Sequence, residues 1–206
     1  MESILFRKAE SKEEIKAAQQ IRYAAYRERD YIEENSAKTR ALIYDSLATT
    51  TIYIALKNIS VDKQKSEIIG TASTFKDCSA GLPLEELLKN EVSLLRSDGR
   101  KLMEGGALAV LPEFRGSLKT SLGLIRVVIR QLFEDNLDDL VIAIVPQHVD
   151  FYEKKLLFEK ASGQKKYSSL NNINAVMMRL DSHSYKERLL NGSDEHKELH
   201  QYFFGQ

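Results

Sequence analysis

The sequence lacks the features that hold small secreted proteins or membrane proteins together. Its 206 residues include a single cysteine, Cys78, so no disulfide bond can form within the chain. The apolar runs fall short of the roughly 18 residues that a membrane-spanning helix needs, and the first residues contain no apolar segment of signal-peptide length. We therefore predict a cytoplasmic protein without a membrane span.

An excess of charge of one sign is missing as well. Lys and Arg together number 30 and so do Asp and Glu, which gives a formal net charge of +0. This balance says nothing about partners, which only local clusters of charge can indicate. One basic stripe is the sole feature that would suit nucleic acid, so we expect no nucleic-acid partner. Hydrophobic residues make up 43% and charged residues 29% of the chain, as in an ordinary globular domain. We predict one domain over residues 1–206, with 182–206 as a helical extension.

Hydrophobic periodicity predicts a mixed α/β (α+β) fold in which strands alternate with helices. Strands are expected at Ile4–Phe6, Thr50–Leu56, Glu67–Phe75, Lys101–Leu111, Leu140–Val145 and Ala175–Leu180. Helices are expected from a capping box at Ser11 to about Glu28, from Pro83 to about Leu95, over Ser117–Phe133 and Val149–Leu156, and in the polar tail. A polar hairpin loop is expected over 57–66. Gly105 and Gly106 predict a bulge in their strand, and the unbroken apolar run Leu140–Val145 predicts a strand buried on both faces.

The most informative segment runs from Glu104 to Arg130, where a strand leads through a loop into a helix that starts near Gly116. Free N–H groups and the dipole at such a helix start favour an anion. Between Phe114 and Phe133 the only charged residues are the basic Arg115, Lys119, Arg126 and Arg130. Their spacing predicts one helical stripe. This stripe suits a phosphopantetheine thioester and an acidic carrier protein, or it is a solvated basic face.

The run Arg115-Gly116-Ser117-Leu118-Lys119-Thr120 resembles motif A of the GNAT acyltransferase superfamily, R/Q-x-x-G-x-G/A, although both later glycine positions hold other residues. Other segments, in the same order along the chain, are similar to the N-acyl amino acid synthase group typified by FeeM, which is related to the acyl-homoserine lactone synthases. They are Asp77, Gly81-Leu82-Pro83-Leu84, Leu95-Arg96, Gly99-Arg100, Glu104, Pro146-Gln147-His148-Val149-Asp150-Phe151-Tyr152 and the strand AVMMRL.

This resemblance implies a GNAT-like fold, with a mixed, mostly antiparallel sheet flanked by helices and splayed between the strand ending at Leu111 and the strand Leu140–Val145. It implies an acyl-phosphopantetheine thioester as donor substrate, on acyl carrier protein or coenzyme A, an amino acid or similar amine as acceptor, and no tightly bound cofactor. The residues expected to contact the donor are Leu108, Val110, Arg115, Gly116, Ser117, Leu118, Lys119 and Thr120.

Aminolysis of a thioester needs a neutral amine, whereas an α-amino group with a pKa near 7.7–8.0 is mostly protonated at pH 7. Glu104 stands where the family carries a glutamate and is the expected base, provided that burial or a relay water strengthens it. Tyr152 is expected to protonate the leaving thiolate, and a backbone N–H within 107–110 to bind the oxyanion. The alternatives are an ion-paired strand residue for Glu104 and a core aromatic for Tyr152.

Arg22, Tyr26 and Asp45 stand where both related groups carry arginine, aromatic and acidic residues, so they are expected to bind substrate, as is His148 after the buried strand. An Arg22–Asp45 structural ion pair and a helix-start role for His148 remain open. The remaining i, i+4 histidines, His196 and His200, lack a convincing third ligand, and we expect no metal site.

Three other functions remain open: an acyl-homoserine lactone synthase, an acetyl-CoA-dependent N-acetyltransferase, and a non-catalytic module that binds acyl carrier protein or acyl chains. Ala107 argues against the lactone synthase, because that group usually carries arginine three residues after the glutamate, and so does the Gly81-Leu82-Pro83 loop. The incomplete glycine motif argues against acetyl-CoA and motivates the non-catalytic module.

Overall fold

The computed structural model describes residues 4–58, 66–116 and 118–205. The strands are β1 (Ile4–Lys8), β2 (Thr50–Asn58), β3 (Ser66–Lys76), β4 (Leu102–Val110), β5 (Asp139–Ile144), β6 (Glu159–Lys160), β7 (Lys165–Tyr167) and β8 (Ile173–Asp181). The helices are α1 (Lys12–Glu28), α2 (Glu85–Ser97), α3 (Lys119–Glu134), α4 (Ser182–Leu190) and α5 (Asp194–Phe204). Most of the loop predicted over 57–66 lies outside the described residues.

The eight strands form one sheet in the order β1-β2-β3-β4-β5-β8-β6, with β7 paired to β8. The pairs β1–β2, β5–β8, β6–β8 and β7–β8 are antiparallel, and β4–β5 is parallel. The predicted mixed, mostly antiparallel sheet flanked by helices is confirmed. All six predicted strands are present, while β6 and β7, of two and three residues, are too short for a periodic pattern to reveal.

The strands β4 and β5 are neighbours, as predicted. Their ladder joins Leu102 to Asp139, Met103 to Leu140 and Glu104 to Val141. β5 is buried over residues 139–142 and partly buried over 143–144, so the predicted strand buried on both faces is confirmed only for the first half of its apolar run. The ladder thus carries Glu104 into a buried environment, and the splay beyond it stays a prediction.

The chain divides into two compact units. Unit 1 comprises Met1–Thr74 and Gly106–Val128, and unit 2 comprises Phe75–Gly105 and Ile129–Gln206. The expected single domain with a helical extension stays a prediction. No helix within the described residues is long and apolar enough to cross a membrane, and the cytoplasmic location stays a prediction.

In unit 1, α1 buries its apolar stripe against the sheet. Ala18 packs with Ile52 and Ile54 of β2, and Ile21 and Ala25 pack with Ala109 of β4. The N-cap of α1 is half of the predicted capping box: Ser11 accepts a hydrogen bond from the Glu14 N–H, whereas the Glu14 side chain pairs with Arg7.

Close packing of α3 in unit 1 depends on a glycine. A Cβ at Gly123 would lie 2.1 Å from Cζ of Phe6, so any larger residue here would have to displace the Phe6 ring of β1. The helix is therefore fixed against the sheet immediately after the segment that resembles motif A.

In unit 2, α2 begins at Glu85, two residues after Pro83, and has a kink at Leu88, so Pro83 does not occupy the first helical turn as predicted. The tail forms α4 and α5, as expected, and α5 packs the ring of Phe204 4.9 Å from that of Phe133. The predicted helix Val149–Leu156 is instead a 3-10 turn at Pro146–His148 followed by a π-helical turn at Phe151–Lys155.

The predicted irregularity of β4 falls on a different residue. Ala107 has φ +53, in the left-handed region, whereas neither Gly105 nor Gly106 is among the glycines with positive φ. A left-handed alanine is sterically costly, because its Cβ crowds the backbone. The backbone therefore departs from regular strand geometry at Ala107, one residue after the predicted glycine pair.

Candidate active site

Glu104 is a buried carboxylic acid on β4, in unit 2, with only 4% of its surface exposed. Its Oε2 accepts a hydrogen bond of 2.8 Å from the backbone N–H of Leu84. Burial raises the pKa of Glu104 to about 8; the Leu84 hydrogen bond lowers it and the charge of Glu85 raises it further. No ion pair reaches this carboxylate from any residue that the structure describes. Glu104 is therefore not the ion-paired strand residue that was the alternative.

Tyr152, also in unit 2, lies in the π-helical turn Phe151–Lys155 and is half-buried. Its ring contacts Phe151 and Phe158 edge to face, with centroids 5.5 and 5.4 Å away. Burial raises the pKa of Tyr152 to about 12, so its hydroxyl keeps its proton at neutral pH. π-Helical turns are rare and often occur at functional sites.

In unit 1, Arg115 precedes α3 instead of lying on it, so the predicted stripe of four basic residues is wrong at this position. The 3-10 turn Pro112–Phe114 ends at Arg115, whose Nε donates to the carbonyl of Val110 at 2.7 Å. Its Nη1 forms an ion pair with Glu28, the last residue of α1. Nη2 is buried and has no hydrogen-bond partner among the described residues.

The other residues expected to bind the donor differ in exposure. Leu118 and Lys119 are exposed, Leu108 is half-buried, and Val110 and Thr120 are buried. The methyl group of Thr120 packs close to the Cα hydrogens of Gly70, since a Cβ built there would lie 3.3 Å from it. Ser117 lies outside the described residues.

Gly116 has open space beside it. A Cβ at this position would meet no heavy atom within 4 Å, and its φ is not positive. Neither the packing nor the backbone conformation of unit 1 therefore requires glycine here.

Arg22 and Asp45, also in unit 1, come together as predicted and form an ion pair of 3.1 Å. Arg22 is fully buried and also donates to Ser73 Oγ at 3.1 Å and to the carbonyl of Arg40 at 3.1 Å. The structural ion pair is thus present, and substrate binding by these residues stays a prediction.

Tyr26 lies in the same unit, half-buried between two neighbours. The guanidinium carbon of Arg40 is 5.2 Å from the centroid of its ring, and the ring of Tyr31 is 6.0 Å away. This arrangement gives Tyr26 an aromatic face next to a cation. Its substrate-binding role stays a prediction.

The histidines divide between an exposed turn and a helix cap. His148 ends the 3-10 turn Pro146–His148 and is exposed. His196 caps α5 by bonding Ser193 through Nδ1, and its Nε2 lies 2.9 Å from the carbonyl oxygen of Lys154. Among the described residues, no group of three or more His, Cys, Asp and Glu side chains could hold a metal ion.

One network of unit 2 was not anticipated from the sequence. Arg96 forms ion pairs with Asp77 and Glu85 at the two ends of the loop that carries Leu84. The sequence drew attention to Asp77, Leu84 and Arg96 only through the resemblance to the N-acyl amino acid synthase group. Arg96 meets Asp77 across 19 residues of sequence and Glu85 across 11, and Leu84 meets Glu104 across 20. Hydrophobic periodicity does not indicate contacts over such separations.

Solved structures with the same chain path are acyltransferases. FeeM, an N-acyl amino acid synthase from uncultured soil microbes, matches with a TM-score of 0.76 and 23% identity over 91% of this chain and 95% of its own. The CoA-dependent acyl-homoserine lactone synthase BjaI, solved with SAM and isopentyl-CoA, gives 0.63 and 10% over 100% and 90%. Arabidopsis thaliana NAA60 in complex with acetyl-CoA gives 0.62 and 13% over 88% and 99%.

The fold is that of the GNAT acyltransferases, and the protein is an acyltransferase. The profile of one family, the N-acyl amino acid synthase FeeM, matches residues 17–181, which is most of the chain. The chain belongs to this family. No curated protein sequence is significantly similar to it.

Proposed function

We propose that the protein transfers an acyl group from a phosphopantetheine thioester, on acyl carrier protein or coenzyme A, to the amine of an amino acid or a similar acceptor. Family membership supports the reaction class. The observation that carries the proposal is Glu104, a buried carboxyl group without a counter-ion on the strand that the family match includes.

Glu104 accepts a proton from the attacking nitrogen, directly or through a water molecule. Its pKa, raised to about 8 by burial, lies close to the 7.7–8.0 of an α-amino group. Proton transfer between groups of matched pKa is nearly isoenergetic, and general-base catalysis is most efficient when the pKa of the base lies near the working pH. A glutamate with its ordinary pKa would be a much weaker base.

The tetrahedral intermediate then expels the pantetheine thiolate. A thiol has a reference pKa near 8.5, whereas burial raises the pKa of Tyr152 to about 12. Tyr152 is thus protonated when the thiolate leaves. It donates this proton to the sulfur as the C–S bond breaks, and the free thiol departs. The resulting tyrosinate takes a proton back from water, and Glu104 releases to water the proton that it took from the amine, so both groups regain their starting state.

For donor binding we propose Arg115, the backbone at Gly116, and Lys119. The open space beside Gly116 supports close approach of a phosphate. The buried Nη2 of Arg115 has no partner among the described residues, and this N–H group is one that a phosphate oxygen could satisfy. Binding there places the phosphate in competition with Glu28 for the guanidinium.

The decisive experiment combines donors with acceptors. The protein is incubated with long-chain acyl carrier protein, long-chain acyl-CoA and acetyl-CoA, each with a panel of amino acids, and the products are identified by mass spectrometry. We expect N-acyl amino acids from long-chain donors. Product from acetyl-CoA alone would overturn the proposal in favour of an N-acetyltransferase, and a lactone formed from S-adenosylmethionine in favour of a lactone synthase. Donor binding without product from any amine would favour the non-catalytic module.

The donor site is tested by Gly116→Ala, with Gly163→Ala as its matched control. Both substitutions place a methyl group in open space without a positive φ, so neither should destabilise the protein. Only Gly116→Ala should raise the donor KM, by an expected 10-fold or so if a backbone–phosphate hydrogen bond is lost. Equal donor KM values for both variants would exclude close phosphate approach at Gly116.

A further inference from the structure

The backbone N–H that binds Glu104 belongs to a loop held at both ends by one arginine. The loop, residues 77–84, connects β3 to α2, ends at Leu84 and is followed by Glu85, the first residue of α2. Arg96 on α2 donates from Nε and Nη2 to the two oxygens of Asp77 at 2.7 and 2.6 Å. It also donates from Nη1 to Oε2 of Glu85 at 2.9 Å, and Nη2 contacts the other oxygen of Glu85. One side chain thereby ties the start of the loop to its end.

Contacts inside the loop transmit this restraint towards Leu84. Oε1 of Glu85 accepts a hydrogen bond of 2.7 Å from the Leu82 N–H, and the turn before it requires Gly81, whose φ is +73. The side chains of Leu82 and Leu84 are almost fully buried, with 1% and 0% exposure. The direction of the Leu84 N–H is therefore set by a short segment fixed at several points.

We propose that Arg96, with Asp77 and Glu85, is a positioning group for Glu104: it fixes the loop so that the Leu84 N–H holds the Glu104 carboxylate, and it balances the negative charge of Glu85 beside that carboxylate. This inference rests on the proposed role of Glu104 as the base. It assigns Arg96 no contact with the substrate.

The charged groups around Glu104 single out Glu85, and therefore its partner Arg96, as the groups that act on it. Glu85 is the charged group found to act on it, and it raises the pKa of Glu104. Across the β4–β5 ladder stands the uncharged Val141. Asp139, further along β5, forms ion pairs with Arg100 and Arg179 and not with Glu104. Lys76 of β3 likewise forms an ion pair with Asp135, at 2.9 Å.

Two substitutions break the same Arg96–Glu85 ion pair with opposite electrostatic effects. Arg96→Gln leaves the charge of Glu85 unbalanced, which disfavours ionised Glu104. Glu85→Gln removes that charge and favours ionised Glu104, while its amide oxygen can still accept from the Leu82 N–H. A purely structural role would move both variants in the same direction, because both lose the same contact.

The experiment titrates the Glu104 carboxyl group in the whole protein by carbon NMR of labelled glutamate, and in parallel measures the pH dependence of kcat/KM. We expect the midpoint of Glu104 to rise in Arg96→Gln and to fall in Glu85→Gln, by roughly half a pH unit each, which changes its ionised fraction at pH 7 about threefold. The limb of the activity profile should shift in the same directions.

Glu91→Gln is the matched control, since it breaks another ion pair of α2, with Lys165, that does not involve the loop. It should leave the Glu104 titration unchanged. If Arg96→Gln does not fold, the direction in which Glu85→Gln shifts the titration midpoint of Glu104 tests the inference by itself. Shifts of equal sign in both variants, or no shift in Glu85→Gln, would refute the inference. Full activity of Glu104→Gln would instead refute the proposed base, whatever the NMR titration shows.

Discussion

Two carboxylates are buried on the paired strands β4 and β5, two residues apart in the ladder, and they are stabilised in opposite ways. Asp139 is fully buried and receives three hydrogen bonds, from Arg100 at 2.6 and 2.8 Å and from Arg179 at 2.8 Å. Glu104 is buried almost as completely and, from the residues that the structure describes, receives one hydrogen bond, donated by an uncharged amide.

This difference in partners distinguishes a carboxyl group with a structural role, Asp139, from one with a proposed catalytic role, Glu104. A buried carboxylate bound by two arginines belongs to an ion-pair cluster that ties together the segments around it. A buried carboxylate without a counter-ion has a raised pKa, costs stability when it ionises, and is available to take up a proton near neutral pH. Burial alone would not have distinguished Asp139 from Glu104; the partners of each carboxylate do.

The largest expected effect is on catalysis by Glu104→Gln. Gln keeps the size of the side chain and an oxygen for the Leu84 N–H, but it cannot act as a base. We expect kcat to fall by about 10²–10⁴-fold, with the donor KM nearly unchanged, in steady-state kinetics at saturating acceptor.

The acceptor amine titrates in the same pH range as Glu104, so a rise of the rate with pH could come from either group. A control must therefore separate the two. An alkoxyamine acceptor, which is neutral across the range, should retain a limb near the pKa of about 8 in the unmodified protein and lose it in Glu104→Gln. Full activity of the variant from about pH 6 to pH 9 would show that Glu104 is not the base.

The second largest effect should be on stability, in Asp139→Asn. Asp139→Asn breaks the ion pairs with Arg100 and Arg179, of which Arg100 keeps its other partner, Asp181. Removing one partner from a buried ionic cluster typically costs about 3 kcal/mol. Urea denaturation should show this loss, whereas kcat per folded molecule should stay within about twofold of the unmodified protein. A large loss of kcat with unchanged stability would reverse the roles assigned to the two carboxylates.

The third prediction concerns the pH dependence of stability. The folded protein holds the Glu104 proton up to a pKa of about 8, whereas an unfolded chain releases it near its ordinary value of about 4.3. Between these values the folded state binds more protons, so stability falls as pH rises. Glu104→Gln removes this loss, and its advantage in unfolding free energy should be about 2 kcal/mol larger at pH 8 than at pH 6.

Glu91→Gln controls for loss of a glutamate from the same unit. Burial raises the pKa of Glu91, but the hydrogen bond from Lys165, a backbone hydrogen bond and the charge of Lys165 together outweigh burial, so its pKa lies below its usual value. The difference in unfolding free energy between this variant and the unmodified protein should therefore stay constant between pH 6 and pH 8. A constant difference between Glu104→Gln and the unmodified protein across that range would mean that Glu104 is already ionised at pH 6.

Much of the fold could be predicted because it has local causes. The unbroken apolar run 140–145 predicts β5, and the Ser11 cap and the apolar stripe after it predict α1. The capping box formed only in part, because the Glu14 side chain binds Arg7 on β1 and the Glu10 N–H instead of the Ser11 N–H. The irregularity of β4 likewise fell on Ala107 instead of the glycine pair.

The candidate site was predictable in its residues and less so in its contacts. The family resemblance pointed to Glu104, but its bond to Leu84 joins residues 20 apart in sequence. The Arg115–Glu28 pair joins residues 87 apart, and Arg115 lies off the stripe that helical spacing predicted because α3 begins only at Lys119. Sequence periodicity predicts on which face of a helix or strand a residue lies. It does not predict which distant segment of the chain packs against that face.

The smallest expected effect extends the comparison to a third ionisable side chain of unit 2. Tyr152, like Glu104, is without an ion pair among the described residues, and burial raises its pKa to about 12. If its hydroxyl donates a proton to the departing thiolate, Tyr152→Phe should lower kcat about tenfold with a native donor. It should not destabilise the protein, because the contacts of the ring with Phe151 and Phe158 remain. An aryl thioester, whose thiolate leaves without protonation, should react with the variant and the unmodified protein at nearly equal rates. An equal deficit with both donors would instead assign Tyr152 a packing role, and Glu104 would then be the one uncompensated group of this comparison with a part in the chemistry.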